Sequence, residues 1–146
     1  MVARRPRGPT FWAAVGLALV AGSVFAVDFR EFYTWHSNTF AFGIWNCVPM
    51  LLALGLVFAA RHSGPTMRFA GYGFSVGAAG LVLFGHIMWA FDIGKTATGS
   101  STSALMFLFL PPWAVIVGAM AAVLAGLIGF AWGPRVAAPP SRPDVR

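Results

Sequence analysis

Charge is scarce in this chain of 146 residues: 10% are Asp, Glu, Lys or Arg, against the roughly one quarter that a water-facing surface needs. That scarcity excludes an ordinary soluble domain, and with it a soluble enzyme, a nucleic-acid binder or a disordered tail. Cysteine is nearly absent as well. Cys47 stands alone, so neither an intrachain disulfide nor a CxxC redox pair is available. Three histidines and one cysteine, at no known ligand spacing, make a poor metal set, and no metal site is expected. Gly94-Lys95-Thr96 resembles the end of a phosphate loop, but Trp89 occupies the position of the earlier glycine, so no nucleotide site is read there. The hydroxyl-rich stretch that follows has no base paired with it and reads as loop and helix caps, so no catalytic residue is named.

What is abundant is apolar sequence: 58% of the residues, in four runs. About 20 apolar residues rising about 1.5 Å each cover a hydrocarbon core of about 30 Å. The expected fold is therefore an all-α integral membrane protein, a single bundle of four transmembrane helices. The spans are placed at residues 11–27, 40–60, 69–91 and 104–132. They are separated by a loop at 28–39, a turn at 61–68 and a loop at 92–103, and flanked by a basic tail at 1–10 and a proline-rich, unstructured tail at 133–146. The first run has a competing reading as a cleaved export signal. At 17 residues it exceeds the usual apolar segment of about 7 to 15, and its small-residue ridge suits helix packing, so it is read as a retained helix. In the first loop Phe29, Phe32, Tyr33 and His36 share helical spacing, which predicts a short helix lying in the interface.

Orientation follows from the basic residues. Eight of the ten lie in the two tails and the middle turn, and two, Arg30 and Lys95, lie in the other loops. The positive-inside rule then puts both termini in the cytoplasm and the two longer loops outside, as in a prokaryotic inner membrane.

The spans hold no charged residue in their middles. An intramembrane charge costs on the order of 2.5 to 3.5 kcal/mol and usually marks an ion path, so its absence speaks against a proton-coupled pump. The polarity that enters the spans is uncharged and gathered toward the outer half. Asn46 lies about 9 Å below the start of the second span and His86 about 8 Å below the end of the third, so they share a depth. Asn46, His86, Trp89 and Asp92 form the candidate polar pocket. Pro49, Pro111 and Pro112 mark helix bends, with the fourth helix kinked at Pro111-Pro112, because each proline frees a carbonyl four residues earlier. Small residues form packing ridges: Ala14, Ala18 and Gly22 on the first helix, Gly73, Gly77 and Gly80 on the third, and Gly118, Ala122 and Gly126 on the fourth.

These features favour a non-catalytic accessory or assembly subunit of a larger membrane complex, in contact with the bilayer and either with copies of itself or with other membrane proteins. The alternative is a small carrier or channel with an outward pocket at Asn46 and His86. A third reading is a redox subunit that binds haem or quinone through His86 and Trp89, although the leading reading requires no cofactor. Haem would need two imidazoles at matched depth, and His36 lies in a loop while His62 lies at the other side.

Overall fold

The computed structural model describes residues 8–32, 39–99 and 105–136. They form α1 (Pro9–Phe32), α2 (Thr39–Ala60), α3 (Pro65–Ala90) and α4 (Met106–Val136), with no strand among the described residues. All four helices are long and apolar enough to cross a membrane, which suggests a multi-pass membrane protein. The end at which α1 and α3 finish and α2 begins is called the upper end below.

Three boundaries differ by four residues or more from those expected from composition. α1 does not stop at Val27 but continues through residues 28–32. Leu17, Ala21, Val24 and Asp28 fall on one helical stripe, and Leu17, Val24 and Asp28 are buried, so the same face packs for one more turn. Of the residues expected in an interfacial helix of the first loop, Phe29 and Phe32 lie at the end of α1, and Tyr33 and His36 lie outside the described residues. α3 begins at Pro65, four residues early, because proline's fixed φ suits the first helical turn and Gly64 serves as N-cap in an extended conformation. That shortens the connection to a tight turn in which Arg61 N–H donates to Phe58 O at 3.3 Å and Ser63 N–H to Ala60 O at 3.0 Å. α4 extends to Val136 and contains both Pro111 and Pro112.

The core is made by one stripe from each helix. Leu17 and Val24 come from α1, Met50 and Ala53 from α2, Phe74, Ala78 and Val82 from α3, and Phe107, Leu110 and Ala114 from α4. The closest pair is α3 with α4. A Cβ on Gly73 would lie 2.5 Å from the Ala121 carbonyl oxygen and 2.6 Å from Ala125 Cβ, and one on Gly77 would lie 3.0 Å from Val117 O. Backbone meets backbone there, which is what small residues permit in a membrane, where dispersion and not water drives helix association. Gly118 likewise packs on Ala78 and Phe74, and Gly126 faces Ala70, whereas Gly80 has open space. Ala122 is partly buried against the core.

α1 is the least embedded helix. It packs on α2 and α3 and makes no contact with α4 among the described residues. Its upper end is seated by Phe25, whose ring fills the space a Cβ on Gly43 would take, at 2.8 Å. At its lower end Thr10 Oγ1 meets Tyr72 Oη at 3.4 Å. The ridge at Ala18 and Gly22 is exposed.

Gly73→Ala should lower the unfolding free energy in detergent by about 1–3 kcal/mol, since the obstructing atom is backbone and cannot turn away. Gly80→Ala should change it by less than about 0.5 kcal/mol. Equal effects in thermal unfolding would show that the α3-α4 approach is not what holds this pair.

Candidate functional site

The upper end of the bundle buries a carboxylate. Asp28 is 0% exposed, enclosed between α1, α2 and α3, and this corrects the expectation that acidic residues stay outside the spans. Its Oδ2 accepts a hydrogen bond from Asn46 Nδ2 at 2.9 Å, and its Oδ1 lies 3.1 Å from His86 Nε2. Asn46 and His86 are thus brought together, each on a different oxygen of Asp28 and not on each other. His86 Nδ1 donates to Val82 O, one turn back on its own helix, at 2.7 Å. Both ring nitrogens are therefore engaged.

Helical periodicity places these groups. On α2 the stripe of Gly43, Asn46, Met50 and Ala53 is buried, and on α3 the stripe of Ser75, Ala79, Val82 and His86 is buried with it. Ser75 returns its hydroxyl to Gly71 O at 2.8 Å, so it makes no interhelical bond here. α4 closes the site with Phe107, which is 0% exposed; its ring stands 4.8 Å from the His86 ring and 5.1 Å, edge to face, from Trp89. Trp89 therefore adjoins the cluster through Phe107. Asp92 does not join it. Its carboxylate bonds the following turn, accepting from Ala97 N–H at 2.8 Å and Thr98 Oγ1 at 2.6 Å. These hydrogen bonds, that from Thr98 Oγ1 foremost, hold the Asp92 carboxyl below its ordinary range. They also hold the left-handed turn at Asp92, Gly94 and Lys95.

Magnitudes show what matters in the cluster. Interhelical hydrogen bonds in a membrane average about 0.6 kcal/mol and reach about 1.7, whereas an uncompensated carboxylate at span depth costs about 2.5–3.5 kcal/mol. Supplying Asp28 with partners outweighs the bond energies themselves. Buried Asn46 Oδ1 has no hydrogen-bond partner among the described residues. Beside His86 an apolar cavity of about 180 Å³ opens between α1 and α3, lined also by Val24, Val27 and Phe91.

The prolines have a local consequence. Pro112 cannot donate to the Leu108 carbonyl four residues earlier, and the Trp45 indole N–H on α2 donates to that oxygen instead, at 3.1 Å. Pro49 and Pro111 are buried within their helices. Among the described residues no group of three or more His, Cys, Asp or Glu side chains is arranged to hold a metal ion.

Sequence reasoning missed Asp28. The signal was present: Asp28 continues the spacing of Leu17, Ala21 and Val24, but the run was ended at the first charge. Comparison with known proteins adds no family, since no protein-family model, no curated protein and no solved structure matches the chain.

His86→Leu should cost about 2.5–3.5 kcal/mol of stability, because it leaves Asp28 Oδ1 buried without its partner. Trp45→Phe, which removes one neutral bond, should cost about 0.5–1.5 kcal/mol. Unfolding of both variants in mixed micelles checks the order; a larger loss for Trp45→Phe would contradict the weight given to Asp28.

Proposed function

We propose that this chain is a small multi-pass protein of a prokaryotic inner membrane that serves as a non-catalytic accessory or assembly subunit of a larger membrane complex. Both termini are cytoplasmic in this reading, on the eight-to-two distribution of basic residues, and α4 bends at Pro111-Pro112. The observation that carries the reading is the unused face of α1. Gly73, Gly77 and Gly118 are occupied by the packing of α3 on α4, whereas Ala18 and Gly22 are exposed, and a Cβ on Gly16 or Gly22 would meet nothing within 4 Å. A smooth helix face of this kind lets a further helix approach closely. The cluster at Asp28 supports it by anchoring the neighbouring stripe of the same helix, so that the open ridge is held in a fixed orientation.

A second reading, a small carrier with an outward pocket, is favoured by two observations: the buried carboxylate of Asp28 and the unpartnered oxygen of Asn46. Intramembrane ionisable groups commonly mark ion or substrate paths. Quinone or haem binding at His86 has less support. Nε2 and Nδ1 are both engaged, so either ligand would have to displace Asp28 or Val82.

Purification of the full chain from its native membrane in mild detergent should yield a stoichiometric membrane partner, and Gly22→Leu should abolish its co-elution while leaving the monomer folded. Isolation of the chain alone, in both forms, would count against the accessory role. For the carrier reading, proteoliposomes enclosing a pH-sensitive dye should acidify faster than protein-free vesicles after an external acid pulse, and His86→Ala should remove the excess. Identical traces would eliminate a proton path.

A further inference from the structure

The hydrogen bonds at the upper end impose a proton count. The Val82 carbonyl oxygen, 2.7 Å from His86 Nδ1, can only accept, so Nδ1 carries a hydrogen. Nε2 then faces Asp28 Oδ1 at 3.1 Å. With no hydrogen between them, an imidazole lone pair and a carboxylate oxygen would oppose each other where solvent does not reach, since the residues are 3% and 0% exposed. Asn46 donates to Oδ2 and supplies nothing to that gap. We infer that Asp28 and His86 form a membrane-embedded binding site for one proton, held between Oδ1 and Nε2, and that this proton fastens the upper end of α1 to α3.

Whichever atom bears it, the pair with one proton is electrically neutral. Without it the pair carries one negative charge among apolar helices and loses its hydrogen bond. α1 is the element that responds, because it packs on α2 and α3 and has no contact with α4 among the described residues. Among the described residues the other titratable or charged groups around this end are few. Arg30 and Glu31 follow on α1, Cys47 lies on α2, and Asp92 and Lys95 lie beyond α3, while α4 presents Phe107. Asp92 is bonded to Ala97 and Thr98, and the Cys47 thiol points to Ala21 O at 3.6 Å, so neither substitutes for His86.

Docking of α1 joins the two groups around this one proton, so removal of the proton loosens the docked state. This inference does not depend on the accessory role.

Asp28→Asn separates the proton from the shape. Its amide can donate to Nε2 and accept from Asn46, keeping both contacts with no carboxylate and no shared proton. In lipid nanodiscs the full-length protein should show more α1-to-α3 undocking when base removes the shared proton, read by spin labels on the two helices. Asp28→Asn should be flat over the same range. A flat response in the unsubstituted protein, or the same slope in Asp28→Asn, would overturn the proposal. Should Asp28→Asn fail to fold, 15N-histidine spectra of the unsubstituted protein decide: a protonated Nδ1 and one titrating proton at Nε2 support the site, and an unprotonated Nδ1 refutes it.

Discussion

A carboxylate buried among apolar helices must find hydrogen-bond donors or be neutralised, and that requirement at Asp28 organises the upper half of this bundle. Asn46 supplies one donor from α2 and His86 the second contact from α3. Because each partner comes from a different helix, the three helices are fixed relative to one another at a single depth. In the lower half Thr10 meets Tyr72, which joins two helices and not three, and the packing rests mainly on close approach of small residues, most tightly where Gly73 meets the Ala121 carbonyl. The two halves thus use different physics. Dispersion between smooth backbones tolerates small sliding, whereas a satisfied polar cluster does not.

That division explains the unequal embedding of the helices. α3 and α4 pack along a shared seam, with α2 against both. α1 is attached mainly by the Phe25 ring over Gly43, by Leu17 and Val24, and by Asp28. Its Ala18 and Gly22 face is open. A helix that is anchored by a polar contact on one stripe and smooth on the next is the natural site for a neighbouring helix, and this asymmetry underlies the proposed accessory role.

The proline chemistry shows a second form of the same rule. In an apolar medium a freed backbone carbonyl needs a donor, and Trp45 meets that need at Leu108 O. Trp45 joins α2 to α4 in this way while Asp28 joins α1 to α2 and α3. At Leu108 O and at Asp28 polarity is met across helices, so removal of Trp45 or His86 exposes an unmet group instead of simply deleting an attraction.

Much of the fold was legible in the residues alone. Four apolar runs of sufficient length require four helices, because only internally hydrogen-bonded segments are stable in hydrocarbon. The stripes of α2 and α3, with Asn46 and His86 at one depth, followed from the 3.6-residue period, as did the glycine ridge that meets α4. Asp28 was legible only as a continuation of the Leu17, Ala21 and Val24 spacing; its role was not, because hydropathy ends a span at its first charge and cannot register a partner 18 or 58 residues away. Nor could sequence tell which ridge would remain open, since the ridges on α1, α3 and α4 read alike until packing pairs two of them. The local period by itself determined which residues share a face; the tertiary structure decided which faces meet, and so turned an apparent loop aspartate into the buried hub of the polar cluster at the upper end of the bundle.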